Sequence, residues 1–204
     1  MESYSQINQD RLALEYFKFK KNGYFLDIGA NVAQALNNTF LMESMYDWNG
    51  ICIEPNKTVI PHLQQHRKCQ IVNIGVYDKV ATLEFESSHV SMMGGIKEHL
   101  QPKYRPLGGE EKDWKTFMID VKPLVMILDE CNAPEDIDYV SIDTEGSEYH
   151  ILNGYFRDNQ KYRIKYIDIE HAYNKEKQTK IRNLMKSNGY KLLRQNQYDD
   201  TFIL

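Results

Sequence analysis

The stretch Gly23–Glu43, GYFLDIGANVAQALNNTFLME, governs how the rest of the chain is read. Its opening YFLDI, residues 24–28, is short, apolar and rich in β-formers, and predicts a buried strand. A Gly29-Ala30-Asn31 turn follows. Leu36, Phe40, Leu41 and Met45 then recur near helical spacing, which predicts a helix over 34–47. A strand that turns at glycine into a helix is a common seat for a nucleotide-like ligand. The glycines here are sparse: Gly29 stands alone, Ala33 occupies a place where a further glycine is expected, and there is no GxGxxG and no P-loop lysine. A pyrophosphate needs the close backbone approach that glycines permit, so this turn is built for another ligand.

Working outward, strand and helix patterns alternate. A helix is predicted over 8–21, a second strand at 50–55 stopped by Pro55, and a helix over 58–66 with Pro61 in its first turn, where proline is tolerated. A third strand with its exit loop covers 69–78, and a half-exposed strand covers 81–87. Residues 88–116 lose periodicity and gather glycine and proline, the pattern of a lid or binding insertion. A strand and helix follow over 117–131, then a strand, polar turn and helix over 137–155, and a strand over 163–173. A charged helix over 174–188 ends at Gly189, and YKLLRQ and DTFIL close the chain as a strand pair. The order predicts a single α/β domain over 1–204 with a mostly parallel sheet covered by helices.

Composition narrows the function. With 42% hydrophobic and 26% charged residues in 204, the chain is an ordinary globular one with a sizeable core. A net charge of -4 without a Lys/Arg-rich run argues against nucleic acid as a partner. Cys52, Cys69 and Cys131 form no CxxC pair and suit the reduced thiols of a cytoplasmic protein. No apolar run reaches membrane-spanning length, and the opening residues lack the pattern of a signal peptide.

In such sheets ligands bind beyond the carboxyl ends of the strands. There the sequence places Asp27, then Glu54, then Gly75 to Asp78, then Asp143-Thr144-Glu145-Gly146, then Asp168, Glu170 and His171. Each has a plain reading: a turn glycine, a solvated strand end, acids at a helix start, or a structural histidine. Their convergence on one sheet edge favours a site. Glu54 lies 27 residues after Asp27, near the spacing of an acid that accepts both hydroxyls of a ribose. An acid at Asp27, one glycine and a ribose-binding Glu54 together suit S-adenosylmethionine, whose far end carries an ammonium, a carboxylate and a sulfonium.

The segments YFLDIGAN, NNTFLMES with WNGICIEPN, and DYVSIDTEGSEYHIL resemble the FkbM-type S-adenosylmethionine-dependent methyltransferases, and YSQINQDR is similar to that family's opening segment. The resemblance runs from Ser5 to about His171. It implies a Rossmann-like class I methyltransferase fold: a mostly parallel seven-stranded sheet, helices on both faces and a C-terminal antiparallel strand pair. It implies O-methylation of a hydroxyl on a sugar, glycan or glycosylated small molecule. By position, Asp27, Gly29, Ala30 and Asn31 would surround the methionine part of the cofactor, Glu54 its ribose, and Gly75, Val76 and Asp78 its adenine. Gln9 and Asp10 would close over it, and Asn37 and Thr39 would support the turn.

Methyl transfer to an alcohol needs positioning and a sink for the hydroxyl proton. Asp143, Glu145 and His171 are the expected catalytic residues, with Asp143 also beside the cofactor. Alternatively, Asp143, Asp168 and Glu170 would hold Mg2+ or Mn2+, as acids after the fourth and fifth strands do in catechol-type methyltransferases. Met92, Met93, Tyr104, Trp114 and Phe117 offer an apolar surface for an acceptor, and His89 and His99 lie nearby in sequence. Competing readings are an RNA or protein methyltransferase of the same fold, a nucleotide-dependent oxidoreductase, and a silent cofactor-binding module. The lack of a basic patch, the lack of GxGxxG and the intact strand-end acids weigh against them in turn.

Overall fold

A computed structural model describes residues 2–89, 93–100 and 109–204. Strands β1 (Tyr24–Ile28), β2 (Asn49–Ile53), β3 (Gln70–Val72), β8 (Asp136–Ile142), β9 (Arg163–Glu170), β10 (Lys191–Gln195) and β11 (Asp199–Ile203) form one sheet in the order β10-β11-β9-β8-β1-β2-β3. The five strands from β9 to β3 are parallel, and β11 runs antiparallel between β9 and β10. The expected seven-stranded sheet with a reversed C-terminal strand is therefore present.

Alternate residues of each central strand enter different cores, as the twofold repeat of a strand requires. Phe25, Cys52, Tyr139 and Tyr166 pack beneath α1 (Gln9–Tyr16), α2 (Phe40–Tyr46) and α3 (Ile60–His66). Leu26, Ile51, Val140 and Ile167 pack on the other face beneath α4 (Leu124–Glu130), α5 (Glu148–Asp158) and α6 (Lys175–Ser187). Helices thus cover both faces. The α6 start is fixed by Asn174, whose side chain accepts the Lys177 N–H at 3.0 Å, and Gly189 stops it at φ 88.

Three expectations shift. The helix after the first turn begins at Phe40, not Gln34. Residues 31–39 run as an irregular loop instead, with Asn31 and Leu36 left-handed at φ 45 and 57. The segment 69–78 divides: β3 stays in the main sheet, whereas β4 (Gly75–Val76) joins β7 (Trp114–Lys122) in a second sheet of order β4-β7-β5-β6. That sheet takes in β5 (Ala81–Ser88) and β6 (Gly94–Ile96). The presumed irregular insertion over 88–116 is thus partly strand, because β5 and β7 pair antiparallel along their full length, from Ala81 opposite Val121 to Ser88 opposite Trp114. Met92 and Tyr104 lie outside the described residues.

Candidate functional site

The carboxyl ends of β1, β2 and β8 open into a cavity of about 820 Å3 roofed by the second sheet. The first turn is pinned from both sides. Gly29 N–H donates to the Ile53 carbonyl at 3.0 Å, and Asp143 N–H donates to the Ile28 carbonyl at 3.0 Å. Gly29 has φ 86, and a Cβ there would lie 1.8 Å from the Asp143 carbonyl oxygen. Only glycine satisfies both conditions. Ala33, by contrast, has no left-handed backbone and packs fully buried against the α1–α3 layer.

Glu54 closes the turn. One carboxylate oxygen accepts the Asn31 N–H at 3.0 Å and the other accepts the Asn56 N–H at 2.7 Å. Burial raises its carboxyl to about 7 against the pull of those two bonds. It lines the cavity with lone pairs to spare. Asp27 also lines the cavity, yet Oδ2 is already occupied: it accepts from Asn37 at 2.9 Å and Thr39 at 2.8 Å. Arg67, fully buried, joins this network and pairs with Glu43. Burial raises the Asp27 carboxyl despite the Arg67 charge. Asn37 lines the cavity too, whereas Thr39 does not; its hydroxyl holds Asp27.

Gly75 and Val76 line the cavity from β4, while Asp78 does not: its carbonyl accepts from Arg157 and it packs against Gly154 of α5. Gln9 and Asp10 do not line it either. Gln9 donates to Asp199 at 2.7 Å, and Asp10 collects the Tyr4 and Ser5 backbone N–H groups, so together they tie down the segment from which Gln6 reaches the cavity.

Asp143, Glu145 and Glu170 each offer an oxygen within 4.8 Å of the others, and all three line the cavity. Burial first and neighbouring acids second raise all three carboxyls: Glu145 acts on Asp143, Asp143 on Glu170, and Glu148 on Glu145, which rises to about 7. Asp168 does not join them. It is buried under α1 and accepts from the Tyr139 and Thr201 hydroxyls, because it shares the face of Tyr139 and Tyr166 rather than that of the cavity. His171 is likewise outside the cavity. It is 2% exposed, faces Gln178 at 3.0 Å and Asp200 at 3.8 Å, and its pKa is lowered by burial. Of the acceptor-side residues, Met93, Phe117 and His89 line the cavity; Trp114 does not, and His99 instead meets the Tyr77 hydroxyl at 2.7 Å.

Two buried residues went unnoticed in the sequence. Glu148 accepts the Thr144 N–H at 3.1 Å and the Gly146 N–H at 3.0 Å on one oxygen, and Lys177 at 2.9 Å on the other. The signal for Glu148 was its place three residues after Glu145; nothing in the pattern marked Lys177 among the charges of α6.

A family model described as the methyltransferase FkbM domain matches residues 27–192. No curated protein matches significantly. Among solved structures, the METTL16 methyltransferase domain is similar at 10% identity and TM-score 0.54, over 96% of this chain and 65% of that one. The precorrin-6y C5,15-methyltransferase of Geobacter metallireducens is similar at 12% identity and TM-score 0.48, over 95% and 85%. The M. capricolum TrmK, in complex with S-adenosyl-homocysteine, is similar at 14% identity and TM-score 0.46, over 98% and 67%. At 10% identity the METTL16 likeness, with its TM-score of 0.54, speaks to the fold alone, a methyltransferase fold in keeping with the sheet described above.

Proposed function

The chain belongs to the FkbM methyltransferase family, and from that premise we propose that it is an S-adenosylmethionine-dependent O-methyltransferase whose acceptor is a hydroxyl of a sugar, glycan or glycosylated small molecule. The supporting observation is that the ribose-type carboxylate of Glu54 and the carboxylate group of Asp143, Glu145 and Glu170 line one cavity. Glu54 receives the ribose diol, with Gly75 and Val76 beside the adenine. Gly29, Ala30 and Asn31 surround the amino-acid end, and Asp27 supplies negative charge behind them.

Transfer is an in-line displacement. Bound there, S-adenosylmethionine would supply a methyl carbon for attack by the acceptor oxygen, with the sulfur keeping the bonding pair and leaving as a thioether. The hydroxyl proton passes to a carboxylate. Glu145, raised to about 7, is matched to accept a proton near neutrality, and Asp143 orients the hydroxyl beside it. Asp143, Glu145 and Glu170, rather than Asp168, are of fitting type and spacing for Mg2+ or Mn2+; such an ion would supply Lewis-acid lowering of the hydroxyl pKa. The acid-rich cavity and the -4 net charge favour a neutral acceptor over RNA.

The test is incubation with methyl-labelled S-adenosylmethionine and a panel of deoxysugar-containing glycans, with and without Mg2+ or Mn2+. Label in a base-stable methyl ether of a glycan supports the reading. Label in RNA or protein alone, or none anywhere despite cofactor binding, overturns it.

A further inference from the structure

The Asp143–Gly146 segment is a poor candidate to hold its shape unaided. Glu145 sits left-handed at φ 58 and Gly146 at φ 140, and a non-glycine residue pays strain in that region. The segment also presents two like charges, Asp143 and Glu145, to a third, Glu170.

What opposes this is a buried pair outside the cavity wall. Glu148, at the start of α5, is 0% exposed and gathers the segment with one oxygen, accepting from Thr144 N–H, Thr144 Oγ1 and Gly146 N–H. Its other oxygen is held by the Lys177 ammonium at 2.9 Å. Lys177 is 9% exposed, stands 29 residues away on α6, and lies 4.0 Å from Glu170. Burial by itself would raise the Glu148 carboxyl; the Lys177 charge and the hydrogen bonds outweigh it and hold the carboxyl below its ordinary value.

We infer that Lys177 and Glu148 are positioning residues of the transfer site: the pair locks the Asp143–Gly146 segment to α6 so that Asp143 and Glu145 face the cavity, and its ammonium offsets their repulsion with Glu170. This rests on the methyltransferase reading for what the segment does, and on geometry alone for how it is held. A cation at this position is required, because a buried carboxylate deprived of its partner is strongly destabilised and would release its three donors to find another.

The test compares the full chain with Lys177→Met, Lys177→Arg and the double variant Lys177→Met/Glu148→Gln, each checked for folding by near-UV circular dichroism. Two quantities are measured: amide exchange at Thr144 and Gly146, and affinity for S-adenosylhomocysteine by calorimetry. In Lys177→Met the two amides exchange at least about tenfold faster, while core amides of β8 and β1 keep their protection. Affinity falls about tenfold, since Asp143 and Glu145 line the cofactor's cavity, and Lys177→Arg restores both quantities to within about threefold. The double variant, with no carboxylate left unpaired at position 148, keeps the exchange test open should Lys177→Met fail to fold, and still exchanges fast. Unchanged exchange in a folded Lys177→Met or double variant overturns the inference, as does an arginine variant as impaired as the methionine one. Wild-type protein that binds no S-adenosylhomocysteine sinks the methyltransferase reading instead, and leaves the exchange arm to decide the clamp.

Discussion

Glu54→Gln isolates one carboxylate in the proposed cofactor site. In the native turn each oxygen of Glu54 already accepts one backbone N–H, from Asn31 and Asn56. The remaining lone pairs face the cavity, where a ribose would donate both hydroxyls. Glutamine keeps the shape, but its amide nitrogen points a donor at either Asn31 or Asn56. Losing a charge-assisted acceptor costs about 1.5–3 kcal/mol, which is roughly a 10- to 150-fold weaker dissociation constant. Titration calorimetry with S-adenosylhomocysteine at pH 8 measures it. A second signature follows from protonation. Burial raises the Glu54 carboxyl to about 7, so wild-type affinity falls as pH drops through 7, approaching tenfold per unit, because the protonated oxygen no longer accepts. The Glu54→Gln variant lacks that slope. A further probe is the 2′-deoxy form of the ligand, which loses affinity against wild type and little against Glu54→Gln. If the folded variant binds S-adenosylhomocysteine within twofold of wild type at pH 8, Glu54 does not hold the ribose.

Gly29→Ala puts a methyl 1.8 Å from the Asp143 carbonyl at a φ of 86; thermal melting will show a loss of more than about 3 kcal/mol, or no folded protein. Asp143→Asn will lower kcat at least about 100-fold while leaving the KM for S-adenosylmethionine within about fivefold, a split that initial-rate kinetics on the identified acceptor resolves. The cofactor-free protein will be more stable at pH 5.5 than at pH 8. Glu54, Glu145 and Asp168 are each raised to about 7, chiefly by burial, so between the ordinary carboxyl range and 7 the native state binds more protons than the unfolded one. Stability then falls as pH rises through that window, and a melting temperature that climbs from pH 5.5 to 8 contradicts the assignment.

How much of this was legible in the sequence depended on which physical rule marked each residue. The strands were legible because their apolar runs are buried and end at acids; β1, β2 and β8 fall within two residues of expectation, and β9 ends three residues early. Gly29 was legible from the strand-to-helix turn it occupies, and Glu54 from its spacing after Asp27 at the end of the second strand. Residues 34–39 were misread as helix because apolar spacing alone cannot see that Leu36 takes left-handed backbone. Asp168, Glu170 and His171 looked equivalent at the end of β9, but side-chain direction changes where a strand ends: Asp168 turns into the aromatic layer under α1, Glu170 into the cavity, and His171 toward α6. Lys177 was invisible for another reason. Among the lysines of α6 it reads as one more solvated charge, and only tertiary packing reveals that it is buried against Glu148.

The distribution of charge explains why so costly an arrangement persists. A cavity lined by Asp27, Glu54, Asp143, Glu145 and Glu170 faces the penalty of buried carboxylates near one another. Two cations, both buried, limit that penalty from behind: Arg67 beneath Asp27 and Lys177 beside Glu170. Neither lines the cavity, whose lining includes Lys115 of β7 on the opposite side from these acids' strands. In the proposed site, a ligand carrying an ammonium and a sulfonium would meet acids already fixed in place, whose carboxyls are raised by burial first and by neighbouring acids second. On the function proposed above, such a cation would lower those carboxyl pKa values together and leave bases available for the hydroxyl proton. On that reading, the same crowding expected to weaken the empty protein above neutral pH would become the source of the base once the cofactor is in place.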